Sequence, residues 1–259
     1  MKTYLLLIFL SSTTFLLAQS KEYIDDEFEL SMAILSSSPL LIERDHPIDG
    51  SKISIYSEAS RGYNFGLKYL RKQTNRVNWI LGFETGRYSA NINYVIQKDF
   101  IDLGERNPYT HEYTESFIFY IAPEIGARYT LSRENRKGKL VISASVMAAY
   151  HLNTGLQITR GLNADTSRSS PLFFIQMESK NRNHVVLAPK LNLEYSYQIT
   201  PTKTIFIGFT STFSNQTPFE GRYLIQGDNE VLEGRIKKRY NFSGFKFGYR
   251  GKLTTKTAQ

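Results

Sequence analysis

The sequence contains no cysteine in its 259 residues, and this absence excludes three arrangements. A disulfide framework cannot form, so an exported chain of this kind must be stabilised by strand pairing and side-chain packing. Attachment of a lipid to an N-terminal cysteine is excluded as well. The four histidines show no metal-ligand spacing, and no thiolate is available, so the sequence predicts neither a metal site nor a cofactor.

The sequence also lacks a long apolar run beyond its first residues, where a spanning helix would need roughly 20 apolar residues in succession. The mean hydropathy is −0.34, yet Tyr and Phe number 17 each. This combination argues against a helical membrane protein. It is typical of a transmembrane β-barrel, in which only every second residue of a strand meets lipid.

The N-terminus has the organisation of a secretory signal peptide. Lys2 precedes an apolar run at 4–10, and the small residue Ala18 offers a cleavage position. An uncleaved anchor helix is the alternative, but the polar patch at 11–14 interrupts a segment that is already short for a spanning helix. The predicted division is a signal peptide at 1–18 and a single domain at 19–259.

The net charge of +8 raises the question of a nucleic-acid partner. The basic residues are dispersed among acidic ones, and export would remove the protein from nucleic acid. Nucleic-acid binding is therefore not predicted.

Eight segments alternate apolar and polar residues with a period of two, which is the pattern of β-strands. The clearest, at 185–199, places Leu191 and its apolar neighbours on one face and Asn192 and its polar neighbours on the other. Pro123 interrupts another segment, and because proline cannot donate to a strand ladder, a β-bulge is expected there. The predicted strands are 27–35, 62–71, 77–95, 116–130, 140–152, 185–199, 204–213 and 240–253.

The connections between these segments alternate strictly between short and long. An even number of strands with short turns at one end and long loops at the other is the asymmetry of outer-membrane barrels. It predicts short turns and both termini in the periplasm, and long loops outside the cell. The short connections are 72–76, 131–139 and 200–203, and the long ones are 36–61, 96–115, 153–184 and 214–239.

Alternation alone does not separate a membrane barrel from a soluble one. In a soluble barrel the many Phe and Tyr rings would have to crowd into a lumen with little spare room, whereas the polar set here is rich in small residues. The predicted fold is therefore all-β, an eight-stranded antiparallel up-and-down transmembrane β-barrel. Its interfacial aromatic girdle is predicted at Tyr63, Tyr69, Tyr88, Tyr129, Tyr150, Tyr195, Tyr197, Tyr240 and Tyr249.

Charged residues on the polar faces would point into the lumen, and acidic and basic ones are equal in number. An unpaired charge in a narrow, poorly hydrated interior is costly, so this balance predicts an ion-pair network that fills the lumen without an open pore. A gated ion path through the same charges is the alternative. The predicted network consists of Glu27, Glu29, Lys68, Glu84, Glu124, Arg128, Lys190, Glu194, Lys246 and Arg250.

The histidines are the candidates for an enzymatic site, because all of them lie in or beside the long connections. Asp45, His46 and the serines at 36–38 could supply a base and a nucleophile. No signature of a lipid-modifying barrel surrounds any of them, so no catalytic residue is assigned and the protein is not predicted to be an enzyme. The histidines are His46, His111, His151 and His184.

Two further features lie in the long connections. The acidic residues at 228–230 are a weak candidate for calcium binding, and they are better explained as the tip of a hairpin between 223–226 and 231–235. The apolar residues at 171–175 have two explanations: a further hairpin above the membrane, or contact with a partner or lipid A.

The region from 27 to 253 resembles the small outer-membrane β-barrel family, the OmpA/OmpX-like and PorT-like barrels. The resemblance is carried by the strand number, the loop asymmetry and the aromatic final segment, not by a functional motif. It implies that the final strand holds the signal read by the barrel-assembly machinery. That role is carried over onto Phe245, Phe247, Tyr249 and Leu253, although the chain continues beyond Leu253 and so departs from a strictly C-terminal signal.

These observations together predict a non-enzymatic outer-membrane protein whose long extracellular loops bind a partner or stabilise the envelope. A lipid-modifying barrel enzyme using loop histidines and a narrow channel are the alternatives. The expected partners are outer-membrane lipid and lipopolysaccharide, the barrel-assembly machinery, and an extracellular or envelope protein.

Overall fold

The structure, a computed structural model, describes residues 26–44, 53–97, 109–131, 137–152, 155–162, 173–226 and 231–253. The predicted signal peptide at 1–18, the acidic residues at 228–230 and the tail beyond Leu253 lie outside these ranges. Within the described ranges, no helix is long and apolar enough to cross a membrane. Regular structure there consists of β-strands.

Eight strands form a closed antiparallel barrel, as the sequence predicts. The first strand pairs with the second on one side and with the last on the other, and the ring is completed without an open edge. Closure satisfies every strand edge of the wall, which is the condition for crossing a membrane with β-structure. The barrel strands are β1 (Asp26–Ser37), β4 (Ser60–Lys72), β5 (Val77–Gln97), β6 (Tyr109–Thr130), β7 (Gly138–His151), β10 (Val185–Thr200), β11 (Lys203–Thr212) and β14 (Phe242–Leu253).

The two ends of the barrel differ. The short connections, the start of β1 and the end of β14 lie at one end, here called the turn end. The long connections carry further strands at the other end, here called the sheet end. Five of these strands form a separate antiparallel sheet in the order β2-β13-β12-β9-β8, and a sixth, β3, pairs with the extension of β5. Their bounds are β2 (Leu41–Arg44), β3 (Ile53–Tyr56), β8 (Gly155–Leu162), β9 (Phe173–Asn181), β12 (Phe219–Gln226) and β13 (Val231–Lys238).

The sheet-end strands were predicted only in part. The hairpin expected around 228–230 is confirmed and is longer than predicted, because β12 and β13 pair from Phe219 and Lys238 to Gln226 and Val231. The apolar segment at 171–175 was given a hairpin as one explanation, and β9 begins at Phe173 and pairs with β8 and β12. The strands β2, β3 and β8 were not predicted, since they are short and lie within the long connections, where pairing with other strands holds them.

The outer face of the barrel is apolar, and this confirms the predicted direction of the alternation. Phe117, Leu191 and Phe247 are 40, 49 and 44% exposed, whereas the polar residues between such positions are buried in the lumen. In a soluble barrel the two sets would be exchanged. An apolar exterior around a closed strand wall is the surface that a hydrocarbon phase requires.

The β-bulge expected at Pro123 is not present. On one side Pro123 pairs with Phe83, and on the other the β6–β7 ladder is interrupted at this point. The pairs on either side of the interruption, Ile121–Tyr150 and Glu124–Met147, keep the same register. The strand therefore tolerates the missing proline N–H by leaving a gap in the ladder and without inserting an extra residue.

Most of the tyrosines predicted for the girdle point outward, as a girdle requires, and two do not. Tyr129, Tyr195 and Tyr197 are exposed on the outer face, but Tyr88 and Tyr240 are fully buried. Tyr88 follows the outward Arg87 on β5 and so points inward, and Tyr240 lies in the connection before β14, not in the strand. Both belong to a cluster inside the sheet end of the barrel.

Candidate functional site

The ten charged residues predicted to face the lumen all make ion pairs there. They form two buried clusters and one pair nearer the turn end, between Arg128 and Glu27 (Nη1 to Oε2, 3.1 Å). The sequence placed each of them on the correct face because the strand alternation continues without a break through all of them. Whether they have a function beyond packing stays a prediction.

The first cluster joins β4, β5, β6 and β10. Lys68 Nζ lies 2.7 Å from Glu124 Oε1 and 3.5 Å from Glu84 Oε1. Lys190 contacts the same two carboxylates from the opposite wall, with its Nζ 3.5 Å from Glu124 Oε2 and in direct contact with Glu84. Two cations therefore share two anions, and the side chains are at most 2% exposed.

Neutral groups complete the hydrogen bonding of this cluster. Asn64 Nδ2 donates to Glu84 Oε2 at 2.9 Å, and Ser145 Oγ donates to Glu124 Oε1 at 2.7 Å. A buried ion pair tolerates the loss of its hydration only when the remaining acceptor positions are filled in this way. Gly82 supplies the space, because a Cβ there would lie 2.8 Å from Lys68 Cγ.

The second cluster joins β1, β10 and β14. Lys246 Nζ lies 2.7 Å from Glu29 Oε1 and 2.9 Å from Glu194 Oε1. Arg250 bonds the second oxygen of each carboxylate, at 2.7 Å from its Nε to Glu29. The ring of Phe206 packs under both cations, 4.0 Å from the Arg250 Cζ and 4.9 Å from the Lys246 Nζ. This cluster is also balanced and dry.

An aromatic cluster lies inside the sheet end, beyond the ion pairs. Its four central rings, Tyr88, Tyr120, Tyr240 and Phe242, are at most 4% exposed. The ring centroids of Tyr240 and Phe242 are 4.7 Å apart, and those of Tyr120 and Tyr240 are 5.5 Å apart. Edge-to-face contacts of this kind stabilise a packed core beyond the area they bury. The cluster, here called the aromatic plug, consists of Tyr88, Tyr120, Tyr240, Phe242, His151 and Phe219.

Sequence reasoning missed the aromatic plug. Its members come from four barrel strands, from the connection before β14 and from the start of β12. If the alternation of inner and outer residues is extended along β5 and β6, Tyr88 and Tyr120 fall on the inner face of the barrel. No local pattern places Tyr240 or Phe219 in the plug, because only the folded barrel brings both of them next to His151.

The candidate histidines are not brought together with the candidate nucleophiles in the described residues. His151 is buried in the aromatic plug, where its Nε2 lies 2.9 Å from the Tyr88 hydroxyl. His184 is exposed and stacks on Tyr150. The Ser37 hydroxyl bonds the Ser60 hydroxyl at 2.7 Å. His46 and the His111 side chain lie outside the described residues.

No metal site is found in the part of the chain that the structure describes: no three side chains of His, Asp or Glu converge there. The acidic residues at 228–230, the sequence-level alternative for calcium, are outside that part.

Lys238 is the buried cation that the sequence did not identify. It ends β13, where its Nζ donates to Ser37 Oγ at 3.2 Å and to the backbone oxygen of Ser38, and lies 5.8 Å from the centroid of the Tyr88 ring. Among the described residues no carboxylate pairs with it. Burial therefore lowers the pKa of Lys238 to about 7.

This lowered pKa predicts a pH-dependent stability. Between pH 7 and the ordinary lysine value of about 10.4, the unfolded chain binds more protons than the folded one, so stability should rise with pH across this window. We expect Lys238→Met to remove that part of the rise and to increase stability at pH 7. The measurement is the urea unfolding midpoint at pH 7 and pH 10. Lys237→Met should keep the wild-type slope, because Lys237 is partly exposed and pairs with Glu43 at 2.8 Å. Equal slopes for wild type and Lys238→Met would refute the assignment.

The predicted assembly-signal residues lie on β14, which closes the barrel between β1 and β11. Phe245, Phe247 and Leu253 are 69, 44 and 44% exposed on the outer face. Their recognition by the assembly machinery stays a prediction.

Comparison with known proteins gives structural neighbours and no sequence relatives. No protein-family model matches the chain, and no curated protein matches it. Among solved structures, the outer membrane protein OprG from Pseudomonas aeruginosa is 10% identical, with a TM-score of 0.46 and coverage of 90% of this chain and 98% of that one. Neisserial surface protein A is 11% identical, with a TM-score of 0.39 and coverage of 90 and 100%. Ail of Yersinia pestis is 13% identical, with a TM-score of 0.29 and coverage of 86 and 99%.

These neighbours have very different sequences and TM-scores below 0.5, so they carry no argument about this chain. The strand order, the closed wall and the apolar exterior establish the fold without them. The described chain is an eight-stranded antiparallel transmembrane β-barrel.

Proposed function

We propose that this protein is a non-enzymatic, non-conducting outer-membrane barrel that carries a binding sheet outside the cell. The observation that supports the proposal most directly is the filled interior. Two balanced ionic clusters occupy the lumen, and the aromatic plug closes it towards the sheet end. In an eight-stranded barrel the lumen is about filled by its own side chains, so little space remains for a water column.

The orientation of the barrel in the membrane is inferred from the lengths of its connections. Short turns and termini belong to the periplasmic side in barrels of this class, and long connections belong to the outside. The sheet end is then extracellular. An aromatic outward face on the closing strand is consistent with recognition of β14 by the barrel-assembly machinery.

The extracellular sheet offers a charged surface for a partner. Glu43, Arg235, Arg222 and Glu178 are exposed and lie opposite one another on four neighbouring strands, β2, β13, β12 and β9. A row with two central arginines flanked by carboxylates favours a polar protein partner, an extracellular or envelope protein, because electrostatic complementarity selects the register of docking.

The closed lumen can be tested by planar-bilayer recording. We expect purified, refolded protein to give no steady conductance, because ions would have to displace paired charges from a dry interior. Refolding of the same sample is checked by gel electrophoresis, in which the unheated folded protein migrates differently from the heated, unfolded protein. A steady conductance in wild type that disappears on neutralising Lys190 or Glu194 would show an ion path through the clusters and would overturn the proposal in favour of the narrow channel.

A further inference from the structure

Two arginines face outward on neighbouring strands at the sheet-end boundary of the apolar exterior. On β4 the outward residues change from Leu67, Phe65 and Tyr63 to Arg61, and on β5 they end with Arg87. In the β4–β5 ladder Arg87 is opposite Tyr63, and the Arg61 backbone oxygen accepts a hydrogen bond from Ser89 Oγ at 3.0 Å, so the two arginines are diagonal neighbours on one face. Such neighbours are about 7–8 Å apart at the backbone, within reach of a shared ligand.

A cavity of about 590 Å³ opens at this place. Its lining combines the apolar side chains of Met32 and Ile34 on β1 and Phe117 on β6 with the two arginines and Glu58. Apolar side chains beside cationic ones are the lining expected of a site for the junction between an acyl chain and a charged headgroup.

Arg87 is held in place by aromatic rings and not by a carboxylate. Its guanidinium carbon lies 4.6 Å from the centroid of the Tyr63 ring and 4.2 Å from that of the Phe117 ring, and both distances are those of cation–π contacts. In the described residues neither Arg61 nor Arg87 forms an ion pair. A stacked guanidinium keeps its N–H groups directed outward, and these fit phosphate oxygens in a bidentate geometry.

We propose that Arg61 and Arg87 bind a phosphate of a lipid in the extracellular leaflet, the phosphorylated glycolipid of the outer membrane. The site lies at the height where the apolar exterior ends, so headgroup phosphates meet it without leaving the bilayer interface. Neither arginine is ion-paired in the described residues, although Glu58 lines the same cavity, and a lipid phosphate supplies a counter-charge for both. The assignment rests on the outer-membrane placement and orientation of the proposed function.

The test measures lipid retention by native mass spectrometry of the folded protein in detergent, with diphosphorylated lipid A as the probe. Wild type is expected to retain one lipid A per barrel. Arg61→Gln/Arg87→Gln should lower the affinity by about tenfold or more, because charge-assisted bidentate bonds are lost. The control Arg76→Gln/Lys203→Gln removes the same charge from exposed positions at the turn end and should bind as wild type. Unchanged affinity in the first variant, or an equal loss in the control, would overturn the site.

Two further arms identify the ligand. Lipid A without phosphates should bind at least about tenfold more weakly than the diphosphorylated form, and equal binding would refute phosphate recognition. Inorganic phosphate alone should not displace the lipid at equal concentration, because it makes no contact with the apolar lining residues Met32 and Ile34. Displacement would mean that the site takes a free anion, which contradicts the proposal.

A separate variant covers the case in which the double substitution does not fold. Arg61→Gln leaves the stacked Arg87 unchanged and should still weaken lipid A binding several-fold, whereas Glu58→Gln, which removes a carboxylate lining the same cavity, should strengthen it. Failure of both shifts would end the proposal. The bilayer recording is independent of these measurements, so loss of the lipid site and loss of the closed-barrel function are distinguishable.

Discussion

Lys190→Met is expected to lower the free energy of unfolding by about 3–5 kcal/mol, the range for removing one partner of a buried ion pair. The substitution leaves Glu84 and Glu124 with Lys68 as their single cation, in a cluster that is at most 2% exposed. One carboxylate would then be buried without compensation. Urea unfolding in lipid vesicles, followed by the fluorescence of the single tryptophan, Trp79, measures the change.

A second substitution separates charge balance from side-chain packing. In Lys190→Met/Glu84→Gln the cluster again holds one cation and one anion, and most of the lost stability should return. Lys203→Met removes an exposed lysine from the turn end of β11 and should change stability little. If the double variant is as unstable as Lys190→Met, packing and not charge balance stabilises the lumen, and the ionic interpretation fails.

Leu193→Arg is expected to destabilise the protein by about 2–4 kcal/mol in a bilayer, because it places a charge on the lipid face near the middle of β10. Leu193 is 49% exposed on the apolar exterior. The cost depends on depth, so Tyr197→Arg, nearer the turn end of the same face, should cost only about 0–1 kcal/mol. Vesicle-based unfolding of both variants gives the comparison. Equal and small effects at the two positions would mean that this face does not contact hydrocarbon.

The barrel strands were predictable because each carries its own evidence. On β10, Leu191 and Leu193 alternate with Asn192 and Glu194 over the whole strand, and one register alone turns the first pair to lipid. The short turn between β10 and β11 then determined that these strands are neighbours. Pro123 was misjudged because the sequence shows that a donor is missing but not that the ladder can leave a gap without changing register.

The sequence predicted which charged residues face the lumen but not which of them pair with one another. Alternation placed Lys246 and Glu194 on inner faces, but their 2.9 Å contact depends on the order in which β1, β14, β11 and β10 close. The aromatic plug and Lys238 lay beyond prediction for a related reason. Their contacts cross between the barrel and the strands at the sheet end, and such long-range contacts leave no periodic mark in the sequence.

The amino-acid sequence by itself determined which residues lie in the eight barrel strands, which face of each of these strands is apolar, and that the charges predicted for the lumen balance. These properties are local, because side chains alternate every second residue whatever the partner strand is. The tertiary structure decided which carboxylate pairs with which cation. It also decided which tyrosines are buried in the aromatic plug instead of lying on the outer face, and which arginines form no ion pair in the described residues. Those outcomes depend on barrel closure and strand stagger, which bring together residues that are distant in the chain.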